Sequence, residues 1–349
     1  MDKERLQQEI EDLLERYSRA GYFPSGCVRV FTRQGTLAVA SVGEATEDSV
    51  FDVASLTKIA TATQVLLAVS RGELSLRGKI MDFLPEIAED PFLRGRMGTI
   101  DLYQLLTHTS TLPDWFPFYA CREPDFFQAL TIALRSTEPT EGVVYSDLNF
   151  MLLGKLLERI RGKPLDLCLR EDLVEPLGLG RMAYQPDPAW PIVPSSYGNP
   201  IEEDMCRERG IPFDGFRPAD QPVRGEVNDG NSWYFFGGVA GHAGIFATAE
   251  AYERLCRFYM NTADPLLQEA QREQPGAPGR GLGLQTGVSY PHGCGHTGFT
   301  GTGIYFSREA EIGVVSFTNR LFYPEKNENG TWEFRRALQE AVYALRPAP

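Results

Sequence analysis

The sequence predicts an α+β fold, with strands near both ends of the chain and a helix-rich segment inserted between them. Strand-like segments occur towards each terminus, amphipathic helical patterns precede the first strands and close the chain, and the middle reads mainly as helices separated by loops. Hydrophobic residues make up 42% of the 349 residues and charged residues 23%, which is ordinary for a globular protein.

The first predicted elements are a helix, a hairpin and a second helix. Apolar residues at helical spacing mark the first helix: Leu6, Ile10, Leu13, Leu14 and Tyr17. The hairpin strands span 27–31 and 37–42 around Arg33-Gln34-Gly35. The next helix begins near Ser55 and ends at Arg71-Gly72, where a glycine suits a helix C-terminus.

The rest of the chain divides into a helical middle and a strand-containing end. Helices are predicted near 101–107, 124–135 and 147–161, whereas the Pro-rich, polar stretch 185–222 is too irregular for a core element. Strand-like segments resume at 295–306 and 312–318. A final helix is predicted over 331–345 from residues that share one face: Phe334, Leu338, Val342 and Leu345.

Charge and hydropathy disfavour several classes of partner. The formal net charge of −13 argues against nucleic acid or an anionic membrane as the main partner. No run of about 18 apolar residues occurs, and the charged N-terminus lacks the apolar segment of a signal peptide. We therefore expect a cytoplasmic protein that acts on a small molecule.

Motifs for metals and cofactors are also missing. The six cysteines are far apart and form no Cys-x-x-Cys pair, so we expect free thiols rather than a zinc site or a disulfide framework. The sequence contains no His-Glu-x-x-His, P-loop or Gly-x-Gly-x-x-Gly motif, and no Gly-x-Ser-x-Gly elbow. We expect a reaction that needs no metal and no cofactor.

The motif that points to chemistry is Ser55-Leu56-Thr57-Lys58. Residues three apart on a helix share a face, so the Ser55 hydroxyl and the Lys58 amine can meet, and a helix N-terminus favours negative charge beside Ser55. This arrangement suits an activated serine nucleophile. A helix cap beside a surface lysine is the alternative, although Lys58 lies in an unusually apolar helix.

Two further motifs can supply a base and an oxyanion site. Tyr145-Ser146-Asp147 precedes a predicted helix, and His296-Thr297-Gly298 opens a predicted strand. Each is weak alone, because half-buried tyrosines and strand histidines are common structural residues. Together, in this order and spacing, they favour a catalytic interpretation.

The set of motifs resembles the serine β-lactamase and penicillin-binding protein superfamily, specifically the branch with class C β-lactamases, DD-peptidases and related esterases. The similarity covers nearly the whole chain, continuing through 51–58, 105–110, 237–246 and 317–320.

The resemblance implies a β-lactamase/DD-peptidase-like α+β fold, with an antiparallel sheet flanked by N- and C-terminal helices. Residues 1–77 and 235–349 would form the sheet domain, and 78–234 an inserted helix-rich domain. The active site would lie in the cleft between the two domains.

The resemblance also implies roles for individual residues. Ser55 would be the nucleophile, Lys58 its cationic neighbour and Tyr145 the general base. The backbone N–H groups of Ser55 and Phe299 would form the oxyanion hole. Substrate would be bound by Asp147, His296, Thr297 and Gly298.

Asp147 departs from the family pattern, in which asparagine is common. An ionised Asp147 near Lys58 should keep the lysine protonated, so that Lys58 supports Tyr145 electrostatically and is not itself the base. In an alternative alignment, Ser146-Asp147-Leu148 is a degraded Ser-Asp-Asn motif in which Ser146 relays the proton. The missing amide at Leu148 weighs against that alignment.

His296 is a second departure, shared with some DD-peptidases, because β-lactamases usually have lysine there. A neutral histidine offers no permanent charge to a substrate carboxylate. We expect a preference for uncharged or weakly anionic esters and amides, unless Arg320 or another arginine contributes.

The sequence thus predicts a serine hydrolase that cleaves an ester, amide or peptide-like substrate through an acyl-enzyme on Ser55, with esterase activity as the first expectation. An acyltransferase, a D-amino-acid peptidase or β-lactamase, and a non-catalytic binding module are the alternatives. The aromatic clusters 115–119 and 233–236 are interpreted as packing, or as an apolar wall around substrate, and His108 and His242 as structural.

Overall fold

The strands confirm the predicted fold class. A computed structural model describes residues 3–323 and 330–344. Its strands are β1 (Gly26–Thr32), β2 (Thr36–Val42), β3 (Val50–Asp52), β4 (Met182–Ala183), β5 (Ser196–Tyr197), β6 (Pro222–Val223), β7 (Phe246–Thr248), β8 (Cys294–Thr297), β9 (Gly303–Ser307) and β10 (Ile312–Thr318). The main sheet is antiparallel, in the order β2-β1-β10-β9-β8, and smaller sheets join β3-β7-β4 and β5-β6.

The main sheet joins the two ends of the chain. Gly26 of β1 is aligned with Thr318 of β10, and Thr32 with Ile312. Every residue of β10 is buried, as expected for a central strand covered on both faces. In contrast, β8 has a neighbouring strand on one side only, and on its other side Gly295 exchanges two backbone hydrogen bonds with Gln285.

The helices cover both faces of this sheet. They are α1 (Lys3–Arg19), α2 (Thr57–Ser70), α3 (Ile80–Phe83), α4 (Pro85–Glu89), α5 (Pro91–Met97), α6 (Leu102–Leu106), α7 (Phe126–Arg135), α8 (Asp147–Arg161), α9 (Leu165–Leu169), α10 (Glu175–Leu177), α11 (Pro200–Glu208), α12 (Ala249–Asn261), α13 (Pro265–Glu269) and α14 (Gly330–Ala344). As the sequence predicts, the N-terminal helix flanks the sheet, since α1 packs against β2 and α14. Helix α12 contacts β1 and β10.

Side-chain alternation along the strands separates two cores. Val30 and Val314 belong to the core that contains α1 and α14. Phe31 and Val315, the next residue in each strand, belong to the larger core with α2, α8 and α12. The nucleophile motif therefore starts a helix that is embedded in the main core.

The structure differs from the predicted elements in several places, and the helices α3, α4, α5, α9, α10 and α13 were not predicted. The segment 295–306 is two strands, β8 and β9, because the turn 298–302 interrupts it. Helix α12 was not predicted, and the stretch 185–222 contains α11, whose Cys206 is buried. The predicted last residue of the final helix, Leu345, lies outside the described residues.

Within 3–323 and 330–344, no helix has both the length and the apolar character to cross a bilayer. The division into 1–77 with 235–349 and 78–234 stays a prediction.

Candidate active site

Ser55 lies on a short 3-10 turn, Ala54–Leu56, that leads directly into α2. Ala54 has a φ of +47°, a left-handed conformation that costs a non-glycine residue about 1–2 kcal/mol. The Asp52 carboxylate holds this turn, since it accepts the Ala54 N–H at 2.9 Å and the Asn228 N–H at 2.6 Å. Ser55 itself is half-buried, so part of the residue is accessible to solvent.

The Lys58 ammonium group uses all three of its N–H donors. It donates to Ser55 Oγ at 2.9 Å, to the His242 carbonyl oxygen at 3.0 Å and to Asp147 Oδ1 at 2.8 Å. The side chain of Lys58 is 0% exposed. The predicted meeting of Ser55, Lys58 and Asp147 is therefore present in the structure.

Electrostatics keep Lys58 charged. Burial alone would lower its pKa, but the Asp147 carboxylate and the Tyr145 hydroxyl together raise the pKa of Lys58 above the ordinary lysine value. A lysine in this state has no lone pair to accept a proton from Ser55. Its contribution is positive charge and orientation of the hydroxyl.

Tyr145 lies among cationic and aromatic groups. The Lys58 Nζ atom is 5.0 Å from the centre of the Tyr145 ring, and the Arg280 guanidinium carbon is 5.3 Å from it. The rings of His108 and His296 lie 4.7 Å and 5.8 Å away, centre to centre. Two cationic groups, Lys58 and Arg280, therefore lie beside the Tyr145 ring.

His296 is a neutral side chain. Burial, followed by the positive charges of Lys58 and Arg280, lowers the pKa of His296 to about 3, although its contact with the Thr297 carbonyl opposes the shift. In the neutral ring, Nδ1–H donates to the Thr297 carbonyl oxygen at 2.8 Å, which leaves Nε2 as an acceptor. His296 therefore supplies no positive charge at neutral pH.

The turn after β8 is fastened to the segment before Ser55. Thr300 Oγ1 donates to the Asp52 carbonyl oxygen at 2.9 Å, and Thr302 Oγ1 donates to the Val53 carbonyl oxygen at 3.0 Å. A Cβ at Gly298 would lie 2.5 Å from the same Val53 oxygen, so only glycine permits this approach. No hydrogen bond of the Phe299 N–H is found among the described residues, which leaves this donor available near Ser55.

A buried histidine–carboxylate contact lies behind Lys58. His242 Nε2 is 2.9 Å from Asp229 Oδ1, and the His242 side chain is 0% exposed. Ligand atoms of Asp147, Asp229 and His242 lie within 4.8 Å of one another, a spacing that could hold a metal ion. The Lys58 ammonium already bonds to Asp147, however, and its charge repels a second cation at this position.

The structure also places the remaining candidates. Ser146 Oγ donates to the Pro113 carbonyl oxygen at 2.6 Å and is buried, so it does not face Ser55 as a relay would require. Arg320 Nε donates to the Phe299 carbonyl oxygen at 2.5 Å. The arginine at the Tyr145 ring is Arg280, which sequence reasoning missed.

Both structural histidines and the aromatic clusters have packing partners. His108 Nδ1 accepts from the Ser146 N–H at 3.0 Å and lies 3.1 Å from Asn149 Nδ2. The two clusters touch each other, because the rings of Phe118 and Phe235 are 5.5 Å apart. These contacts agree with the packing interpretation.

Comparison with known proteins identifies the family. The model of the Beta-lactamase family matches residues 6–339. The chain belongs to the β-lactamase family. Among curated relatives, an N-acetylmuramyl-L-alanine amidase of Bacillus subtilis (strain 168) is 29% identical over 317 residues, which cover 80% of this chain and 71% of the relative.

Other members of the β-lactamase superfamily agree in fold. A putative D-alanyl-D-alanine carboxypeptidase of Escherichia coli (strain K12) is 27% identical over 337 residues, or 84% of this chain and 75% of the relative. A class C β-lactamase structure superposes with a TM-score of 0.72 at 17% identity, covering 98% of this chain and 99% of the other. The protein is thus a serine hydrolase of the β-lactamase and penicillin-binding superfamily, as its motifs predict.

Proposed function

We propose that this β-lactamase-family hydrolase cleaves an amide bond of a small or peptide-like substrate through an acyl-enzyme on Ser55, and that activated esters are faster artificial substrates. The hydrogen bond from the fully charged Lys58 to Ser55 Oγ carries this proposal. The names of both curated relatives, an amidase and a putative carboxypeptidase, support amide over ester chemistry.

Tyr145 acts as the general base in this mechanism. In its ionised form it accepts the Ser55 proton as Oγ bonds to the substrate carbonyl carbon, and it passes that proton to the leaving nitrogen when the C–N bond breaks. The negative oxygen that forms is bound by the N–H groups of Ser55 and Phe299. Water then attacks the acyl-enzyme, with Tyr145 again taking a proton.

Arg280 gives this site a cation that His296 does not. Burial lowers the pKa of the Arg280 guanidinium, an effect that Tyr145 and Tyr290 oppose, and among the described residues no carboxylate forms a salt bridge with Arg280. A substrate carboxylate on the leaving-group side can therefore pair with Arg280. This proposal departs from the expectation of a preference for uncharged substrates, which allowed for a contribution from an arginine.

The test compares turnover by the wild-type protein, Ser55→Ala and a matched control, Ser41→Ala, whose serine is exposed on β2. Substrates are p-nitrophenyl butyrate and an amino-acid p-nitroanilide. We expect sustained turnover of both substrates by wild type and Ser41→Ala, and none above background by Ser55→Ala. Equal rates for wild type and Ser55→Ala would overturn the proposal, and a burst without turnover would favour the acyltransferase alternative.

A further inference from the structure

We propose that Asp52 is a positioning residue for the nucleophile: its ionised carboxylate holds the turn that carries Ser55, and protonation of Asp52 slows acylation. This inference rests on the proposed function, because it concerns the step in which Ser55 becomes acylated. Asp52 is only 3% exposed, so its effect on the reaction is transmitted through the backbone beside Ser55.

Both oxygens of the Asp52 carboxylate accept backbone hydrogen bonds. Oδ1 accepts from the Ala54 N–H at 2.9 Å, which closes a local turn of the kind that aspartate side chains commonly form. Oδ2 accepts from the Asn228 N–H at 2.6 Å and ties this turn to a segment that is distant in the sequence. An ionised carboxylate can accept at both oxygens, whereas the protonated acid would place an O–H donor against one of the two N–H groups.

The turn needs this support because its backbone is strained. Ala54 has a φ of +47°, a conformation that only glycine adopts readily. Ser55 is the next residue, so its hydroxyl and its N–H group, the proposed oxyanion donor, both take their positions from this turn. Relaxation of the turn would move Ser55 Oγ away from Lys58 Nζ, which lies 2.9 Å from it. A displacement of about 1 Å in a catalytic group can cost about 100-fold in rate.

The main chain of Asp52 also fixes the turn that carries Phe299. The Asp52 carbonyl oxygen accepts from Thr300 Oγ1 at 2.9 Å. Asp52 is the last residue of β3 and is aligned with Phe246 of β7, so a strand pair fixes its own position. The two proposed oxyanion donors are therefore positioned from one residue, that of Ser55 by the Asp52 side chain and that of Phe299 by the Asp52 backbone.

The surroundings of Asp52 favour its protonation near neutral pH. Burial raises the pKa of Asp52 to about 6, although the N–H groups of Asn228 and Ala54 oppose the shift. The nearby Asp229 carboxylate raises this pKa further, and the Arg217 guanidinium lowers it. Because the folded protein holds this proton more tightly than the unfolded chain, the contribution of Asp52 to stability increases as the pH falls through 6. A loss of activity through protonation of Asp52 is thus a local change at the turn and not unfolding.

The test measures the pH dependence of kcat/KM for p-nitrophenyl butyrate in wild type, Asp52→Asn and the control Asp48→Asn. The ester has no ionisable group, so a pKa in this profile belongs to the free enzyme. Asparagine keeps one acceptor oxygen and puts an N–H donor in place of the other, which imitates the protonated acid at every pH. Asp48 is an exposed carboxylate that pairs with Arg181, four residues before Asp52.

We expect kcat/KM of the wild type to decline below a pH of about 6. Asp52→Asn should be about 100-fold slower than wild type at pH 7 and should lack this decline, while Asp48→Asn should match the wild type. Adding Ala54→Gly to Asp52→Asn should restore kcat/KM about tenfold, because glycine adopts a positive φ without strain. Urea unfolding at pH 5 and pH 7 shows whether each protein is folded during the assay.

The outcomes distinguish this inference from the proposed function. A decline that persists in Asp52→Asn, or a kcat/KM of Asp52→Asn at pH 7 equal to that of wild type, overturns the inference alone. A decline that disappears in Glu202→Gln also overturns it, because burial raises the pKa of Glu202 as well. If Asp52→Asn does not fold, the wild type decides: Ser55-dependent turnover that stays constant from pH 7 to pH 5 overturns the inference. Absence of Ser55-dependent turnover at every pH overturns the proposed function.

Discussion

Removing the Asp147 carboxylate should leave the buried positive charge of Lys58 without a counter-ion. The two groups are 2.8 Å apart, and Lys58 lies in α2 with no exposed side-chain surface. Lys58 has no other carboxylate within ion-pairing distance among the described residues. Asp147→Ala should therefore lower the free energy of unfolding, because Lys58 loses its partner. The same substitution should lower it much less in a variant that lacks Lys58.

The geometry sets the size of this effect. At an effective dielectric constant of about 20, two unit charges at this separation attract by about 6 kcal/mol. Desolvation of Lys58 and water at the exposed part of Asp147 offset roughly half, in line with the cost of breaking buried pairs. We expect Asp147→Ala to lose about 3 kcal/mol, and less than about 1 kcal/mol in a Lys58→Met background.

A double-mutant cycle measured by urea unfolding at pH 7 tests this value. The control cycle uses Lys155 and Glu158, which are 2.9 Å apart but about one-third exposed; its coupling energy should be below about 0.5 kcal/mol. A coupling between Lys58 and Asp147 as small as that of the control pair would refute the argument that Asp147 holds Lys58 in its charged state.

Three further outcomes follow from the geometry. Gly298→Ala should lower kcat/KM about 100-fold, because a Cβ 2.2 Å from Thr302 Oγ1 would displace the Phe299 N–H. The stability of α1, which is distant from this turn, should not change. Unchanged kinetics would remove Phe299 from the oxyanion hole. Arg280→Gln should raise KM about tenfold for a substrate with a carboxylate on its leaving group and less than about twofold for an uncharged one, in steady-state assays of the matched pair. Burial raises the pKa of Glu202 well above its ordinary value, so the stability of the wild type should fall as the pH rises from the pKa of Glu202 in the unfolded chain towards its pKa in the folded protein. Glu202→Gln should remove this fall and be about 1–3 kcal/mol more stable than the wild type at pH 8, measured by urea unfolding. The same pH dependence of stability in both proteins would contradict this prediction.

Local patterns carried most of the fold prediction. The sequences of β1, β2 and β10 either alternate between apolar and polar residues or are continuously apolar. Helix α8 begins and ends at the predicted residues. Helix α12 also has a readable pattern, with Thr248 as N-cap and a buried face that includes Tyr252 and Tyr259, so it could have been found. Strands of two or three residues, such as β3 and β4, are too short to show any period.

The site residues that are close in sequence could be predicted from their spacing. Ser55 and Lys58 share a face of one helical segment, and the Asp147 carboxylate was expected beside them. Arg280 and the Asp229–His242 pair were missed because only tertiary packing brings Arg280 to Tyr145 and the pair close to Asp147. A lone arginine in a Gly- and Pro-rich loop gives no local signal of a catalytic neighbour.

The most direct test of the central claim is trapping of the acyl-enzyme. Wild type and Ser55→Ala would be mixed with excess p-nitrophenyl butyrate, quenched in acid during turnover and measured by intact-protein mass spectrometry, with peptide mapping of any adduct. We predict that wild type gains the mass of one butyryl group on the peptide that contains Ser55, and that Ser55→Ala gains none there. Turnover by wild type without an adduct on Ser55, or with the adduct on another residue, would contradict the account.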